Sequence, residues 1–219
     1  MIKKLLIGLG VLLAVFLVVV ATRPDTYTVS RSLEMAAPPA LVFAQVNDFH
    51  QWDAWSPWAK LDPNQKTTYG GAAAGTGATY AWEGNDDVGA GRMTIADSTA
   101  DAKVKIDLEF LKPFPSRSDT TFTFEPAGTG TKASWTMEGH NNFMSKAFGL
   151  FVSMDSMIGK DFEKGLAQMK TVAEAAAKKQ ADDAAAAAKA AADAEAAAAA
   201  ANAEADGGTA GGTGAAPAP

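Results

Sequence analysis

The chain has 219 residues, no cysteine and a formal net charge of −6. Disulfides, thiolate metal sites and cysteine nucleophiles are thereby excluded, and a nucleic-acid partner is disfavoured because no basic patch stands out. At this length one domain is expected once two compositionally biased ends are set aside.

The amino end pairs Lys3 and Lys4 with an uncharged run of 17 residues, Leu5 to Ala21. As a helix the run spans about 25 Å against a hydrocarbon core of ~30 Å, and snorkelling lysines cover the deficit. It has no polar face, which argues against a buried core helix. Residues 1–24 therefore read as a single-pass anchor. Positive charge ahead of the run predicts a cytoplasmic amino end and a domain on the non-cytoplasmic side, periplasmic or extracellular. The rival reading is a signal peptide cleaved after Ala21, with Val19 and Ala21 as the small residues. The run exceeds the usual signal core of roughly 7–15 residues, which favours the anchor.

Residues 25–172 carry the folded domain. In "TYTVSRSLEM", Tyr27, Val29 and Leu33 are in phase, so the segment reads as a strand. Arg31 shares that phase; a wet sheet end fits it better than a buried carboxylate partner. "APPALVFAQVNDF" reads as a short helix with Pro38 and Pro39 at its start. "HQWDAW" reads as a second helical piece stopped at Ser56-Pro57.

Six strands follow. "KTTYGG" and "TGATYAWEGN" are separated by a turn, with Tyr80 and Trp82 on one face. "VGAGRMTIADS" places Met93 and Ile95 together; its glycines lack the strand-to-helix context of a dinucleotide loop and read as a strand or bulge. "KVKIDLEFLKPF" alternates Val104, Ile106, Leu108 and Phe110 with polar residues. "DTTFTFEP" turns Phe122 and Phe124 inward, and "TKASWTMEG" turns Ala133, Trp135 and Met137 inward. One-sided alternation predicts an antiparallel sheet with one wet face. From Ser145 to Val172, Phe148, Phe151, Met154, Ile158, Phe162, Leu166 and Met169 step by three and four, which predicts a long amphipathic helix. Gly149, Gly159 and Gly165 interrupt it at a cost of ~1 kcal/mol each, so close backbone packing is expected there.

Residues 173–219 form the second biased end. Alanine fills 22 of the 33 positions from Ala173 to Ala205. With no apolar stripe, this segment reads as a solvated helix that gives way to a flexible "GGTAGGTGAAPAP". A spacer is the plainer role for it; a reach across an envelope or toward a partner is the sharper one.

The fold class expected is α+β. A curved antiparallel sheet of six or seven strands would wrap one long helix, with two short helices after the first strand. A helix ~10 Å wide cannot fill the concave face of such a sheet, so the remainder is either plugged by large side chains or left as an apolar cavity. The segments "ALVFAQVNDFHQWDAWSPW", "GTGATYAWEGNDDVGAGRMTI", "VKIDLEFLKPF", "SWTMEG" and "GKDFEKGLAQMK" resemble the START-like, helix-grip (SRPBCC) superfamily. That superfamily includes Bet v 1-type and polyketide cyclase/dehydrase-type proteins. The resemblance covers about residues 27–172. It implies binding of a hydrophobic small molecule between sheet and helix; some members are cyclases, hydrolases or dehydratases.

The residues expected to line a ligand cavity are Trp55, Trp58, Trp82, Met93, Phe110, Phe122, Trp135, Phe151 and Met154. The aromatic stretch "NDFHQWDAWSPW" can instead wedge the short helices against the sheet. The helical and strand methionines read first as gap-fillers of the core and only second as a pliable cavity lining. No catalytic residue, metal ligand or cofactor is assigned. His50, near Asp48 and Asp53, is the one titratable group of the cluster able to switch near neutrality, but the aspartates read better as helix caps. His140 reads as a surface turn residue, and Glu83 as outward-facing. The function expected is membrane-tethered binding of a lipid or polyketide-like molecule, with residues 5–21 as the membrane contact. The alternatives are a ligand-free structural or interaction domain of the envelope, and a cyclase- or hydrolase-type enzyme.

Overall fold

The structure is a computed structural model that describes residues 1–207. Helix α1 (Ile2–Ala21) precedes strand β1 (Thr26–Met35), helix α2 (Pro39–Asn47) and a 3₁₀ helix, Phe49–Ala54. Strands β2 (Lys66–Gly71), β3 (Ala78–Glu83), β4 (Ala90–Thr99), β5 (Lys103–Lys112), β6 (Ser116–Ala127) and β7 (Gly130–His140) follow. Helices α3 (Phe143–Phe148) and α4 (Met154–Gly207) end the described chain. The described chain divides into two units, one ending at Ala177 and the other beginning at Lys178.

The seven strands make one antiparallel sheet in the order β1-β7-β6-β5-β4-β3-β2. The expected α+β helix-grip architecture is therefore the observed one. Alternation sets which face is dry: Val104 and Ile106 on β5, Phe122 and Phe124 on β6, and Ala133, Trp135 and Met137 on β7 are all buried. Local signals set the helices. Proline stands at the start of α2, where its missing N–H costs nothing. The Asp48 side chain caps the 3₁₀ helix, its Oδ1 accepting from the His50 backbone N–H at 2.9 Å.

The carboxyl-terminal helix differs from the expected one in two ways. The stripe beginning at Phe148 is not continuous with it, because α3 is capped at Gly149 and helical structure resumes only at Met154. The new start is set by Ser153, whose Oγ accepts from the Ser156 backbone N–H at 3.1 Å. Phe148 and Phe151 are consequently exposed rather than core. Past Val172 the alanine-rich segment prolongs α4 to Gly207. Within residues 178–207, ion pairs at i,i+4 spacing join Lys178 to Asp182, Lys179 to Asp183 and Lys189 to Asp193. Most of the glycine- and proline-rich end lies outside the described residues.

Helix α4 lies along β1 and packs Phe162, Leu166, Met169 and Ala173 into the core. Arg31 is the main polar clamp; it lies mid-strand and not at a sheet end, and its carboxylate partners are exposed and not buried. Its Nη1 donates to Asp155 Oδ1 and its Nε to Glu163 Oε1, each at 2.7 Å. Helix α4 lies over this part of β1 with Gly159 facing the guanidinium, where a Cβ would collide with Arg31. Gly165 admits Trp135 and Pro57 in the same way. Further along, Glu174 accepts from the Ala36 backbone N–H at 2.7 Å, and Lys170 donates to the Glu34 carbonyl at 3.0 Å.

Register fixes which element ends lie together. Tyr27 opposes Gly139, which also opposes Ser118. Phe110 opposes Ser116 and Gly91, and Glu83 opposes Ala90. The start of β1, to which α1 is joined by residues 22–25, thus shares one sheet end with the β5–β6 and β3–β4 turns. At that end Arg23 donates to the Gly149 carbonyl at 3.1 Å, Asn141 Nδ2 to the Pro24 carbonyl at 3.2 Å, and Lys146 pairs with Asp25.

Candidate functional site: an apolar cavity between sheet and helix

The concave face is not filled. A cavity of about 240 Å³ lies between the inner surface of β3–β7, the 3₁₀ helix with the segment after it, and the first turns of α4. Its walls are Trp52, Trp58, Trp82, Met93, Leu108, Phe110, Trp135, Met137, Ile158 and Phe162, with Asp53, Asp87, Gln65 and Tyr80 among the polar contributors. Trp82 and Phe110 stand edge to face, 6.0 Å apart, near the sheet end that joins α1.

Of the nine residues expected at a ligand, Trp58, Trp82, Met93, Phe110 and Trp135 border this cavity. Trp55 and Phe122 do not: they are buried behind it, in edge contact at 6.1 Å. Phe151 is 81 % exposed because the helix break carries it out of the stripe. Met154 packs half-buried against the core, one turn before the wall residue Ile158. Sequence reasoning passed over Leu108, Met137, Ile158 and Phe162 as wall residues, although all four carry the inward phase. It also passed over Thr120, which shares the phase of Phe122 on β6.

The aromatic stretch that follows β1 serves both purposes. Trp52 Nε1 donates to the Val46 carbonyl at 3.1 Å and Trp55 Nε1 to the Gln45 carbonyl at 2.9 Å, which locks the 3₁₀ helix onto α2. Trp58 crosses Trp135 edge-on at 5.7 Å and forms wall. Trp135 stacks on Phe162 of α4 at 4.1 Å, the rings only 8° from parallel.

The electrostatics of the chamber are quiet. Burial, then the charges of Tyr69 and Asp53, push the Tyr80 phenol up to about 12, and its oxygen accepts from Gln65 Nε2 at 3.0 Å. It therefore stays neutral over the working pH range. His50 is exposed and outside the chamber; its Nδ1 lies 2.8 Å from Asp48 Oδ1 and its ring stacks on Tyr69 at 4.1 Å. Burial opposes ionisation of Asp48, but hydrogen bonds from the His50 backbone and ring outweigh it and keep that carboxyl below its usual range. His140 ends β7 on the surface. Glu83 points outward to Lys112, 2.8 Å away. No group of three His, Asp or Glu side chains among the described residues is placed to hold a metal ion.

A seven-stranded antiparallel sheet gripping a long helix around an apolar chamber defines a START-like helix-grip protein. A family profile described as polyketide cyclase/dehydrase and lipid transport matches residues 26–174, and the chain belongs to that family. Among solved structures, an uncharacterised protein from Rhizobium leguminosarum is similar at 18 % identity and a TM-score of 0.51, over 68 % of this chain and 95 % of that one. The Aha1 dimer from Colwellia psychrerythraea is similar at 12 % identity and a TM-score of 0.50, over 68 % of this chain and 96 % of that one. At such identities the likeness speaks to the fold alone. No curated protein matches the chain.

Proposed function

We propose that this chain binds a hydrophobic small molecule, lipid or polyketide-like, in the cavity between sheet and α4, and does so tethered to a membrane by residues 5–21. The observation that carries the reading is the cavity itself, about 240 Å³ with mainly apolar and aromatic walls. A domain whose only task was structural or adhesive would gain stability by closing that space. The volume exceeds the ~150 Å³ that accepts benzene and falls below the ~300–1,000 Å³ typical of drug-sized pockets. The guest, or the part of it that enters, is then about two fused rings or a short isoprenoid unit. Catalysis of the cyclase or hydrolase type has less support, since a general base needs a titratable group poised near the working pH, and the half-buried Tyr80 on the cavity wall is held neutral.

Tethering is supported by α1, the one helix among the described residues long and apolar enough to cross a membrane. The lysine pair ahead of it favours a domain on the non-cytoplasmic side. On this reading residues 1–24 are the anchor, 25–172 the binding domain, and the alanine-rich remainder a spacer. Several walls, Trp82, Phe110 and Met137 among them, lie toward the anchored sheet end, which places part of the chamber at the end nearest the proposed anchor.

The test is heavy-atom quenching of tryptophan fluorescence in the full chain in detergent micelles, with 2-bromonaphthalene as quencher. Four of the five tryptophans line the cavity, so a saturable component is expected above the micelle background. That component should vanish when Ala59→Leu and Leu108→Phe together fill the space. Quenching that is linear, or identical in the filled variant, would remove the basis of the proposal.

A further inference from the structure

Outside α1, most of the large apolar side chains that face outward belong to one end of the sheet. Helix α3 and the residues after it expose Phe143, Met144, Phe148, Phe151 and Val152, and the β5–β6 turn exposes Phe114. Ser118 pairs with Gly139, which sets the turn before β6 beside the chain as it leaves β7 for α3. Phe114 and Phe151 are each 81 % exposed. None of the six lines the cavity and none belongs to the core. Single apolar residues are ordinary on a surface, but a cluster of this kind marks a contact.

The position of α1 decides what covers it. Helix α1 packs against α3, and Val20 in its last turn is buried. Only residues 22–25 separate α1 from β1. Four residues reach at most about 14 Å when extended, and these are held. Arg23 Nη2 donates to the Gly149 carbonyl at 3.1 Å, the Asn141 backbone N–H to the Asp25 carbonyl at 2.7 Å, and Lys146 pairs with Asp25. These bonds fasten α3 and its continuation to the end of α1. With α1 across a bilayer, that end lies in the interfacial layer, roughly 5–8 Å deep on each side of the hydrocarbon. The apolar side chains around it are then level with lipid and not with bulk water.

Resting on the tether proposed above, we infer that this face is a second membrane contact. Phe114, Phe143, Met144, Phe148, Phe151 and Val152 form a collar beside α1 that dips into the leaflet around its last turn. The occupant is the lipid itself and not a charged headgroup, because cations at this end are already matched: Lys146 with Asp25, Lys112 with Glu83 and Arg117 with Glu109. An anchor helix alone leaves its domain free to swivel on the residues that join them. A collar on one side of the helix gives the domain one orientation, with the β6–β7 turn pointing away from the membrane.

The test uses the full chain in phosphatidylcholine vesicles, which carry no net headgroup charge. The chain has no native cysteine, so single nitroxide labels can be placed. Phe114→Cys and Phe148→Cys report the collar; both positions are exposed, where substitution leaves the core intact. Val11→Cys, midway along α1, reports the anchor, and Thr129→Cys, in the β6–β7 turn, reports water. Each label is read for collision with oxygen, which concentrates in hydrocarbon, and with a water-soluble nickel complex. Labels at 114 and 148 should favour oxygen, at a shallow depth of about 5–10 Å, and the label at 11 should lie deeper. The label at 129 should favour the nickel complex. The oxygen preference at 114 and 148 should persist at about 1 M salt, where charges are screened beyond ~3 Å. Oxygen preference at 11 with nickel preference at 114 or 148 overturns the collar and leaves the tether standing. Nickel preference at 11 overturns the tether, and the collar with it. A preference at 114 and 148 that vanishes in salt marks electrostatic attachment and overturns the collar. Shielding of 148 from both reagents, with dipolar broadening between labels, gives the face to a second copy of this chain and overturns the collar too.

Discussion

Gly165→Ala sets two known magnitudes against each other. In the interior of a helix, alanine is favoured over glycine by about 1 kcal/mol. Here the added Cβ would stand 2.8 Å from Trp135 Cζ3 and 3.1 Å from Pro57 Cδ. Neither neighbour is the loose end of a flexible chain. The Trp135 ring is stacked on Phe162 at 4.1 Å and held at its edges by Trp55 and Trp58, each at 5.7 Å. Overpacking of this kind costs about 1–3 kcal/mol, so the clash outweighs the helix gain and a net loss near 1 kcal/mol is expected. For a domain of this size that lowers Tm by about 2–4 °C. Thermal unfolding of the full chain in detergent, followed by tryptophan near-ultraviolet circular dichroism, reads it. Relief of the clash is available only toward the cavity, so affinity for 2-bromonaphthalene should fall as well. Gly159→Ala is the comparison: its Cβ meets the guanidinium of Arg31, whose hydrogen bonds to Asp155 and Glu163 would have to yield, and not the rings packed around Trp135, so its stability loss should come without a loss of affinity. A Gly165→Ala protein that melts at or above the native temperature would refute the close packing of α4 on Trp135.

Trp55→Ala should destabilise by about 3–5 kcal/mol, since the ring is sealed in the core, whereas Phe151→Ala should stay within roughly 0.5 kcal/mol; chemical denaturation midpoints distinguish the two. In a spectrophotometric titration, one tyrosine should ionise at about 12, and Tyr80→Phe should remove that step. Because the folded state raises this pKa, the associated stability is complete below the ordinary tyrosine value of ~10 and is lost as pH climbs from there toward the folded value. Asp155 behaves oppositely: its hydrogen bond from Arg31 holds the carboxyl below its usual range, so its contribution is present at neutral pH and disappears as pH falls through that lowered value. The stability gap between the native chain and Arg31→Gln should therefore narrow in acid; a gap that is constant across pH would count against the clamp.

The sheet was legible because strict alternation leaves little choice of face. Val104 and Ile106, or Trp135 and Met137, cannot be buried together in any other strand phase. The two short helices were legible from Pro39 and from the Asp48 cap. The carboxyl-terminal helix was misread at its start because the three-and-four spacing of Phe148, Phe151 and Met154 persists by chance across Gly149 and Ser153. Periodicity alone does not register a break, whereas the glycine stop and serine cap do. The cavity itself was legible only as a shortage of filling. Which inward residues border it and which back it depends on depth behind the wall. Trp55 and Trp58 share a sequence neighbourhood but face different surroundings, and no pattern separates them. Thr120 was hidden for a chemical reason: a threonine among alternating polar residues reads as solvent-facing until its phase with Phe122 is given equal weight.

The most direct measurement of the central claim is native mass spectrometry of the full chain released from its own membrane in a mild detergent. The account predicts a bound lipophilic molecule at one copy per chain, which Ala59→Leu with Leu108→Phe displaces. A bare polypeptide mass under conditions that preserve the fold, or an adduct equally retained by the filled variant, would contradict it.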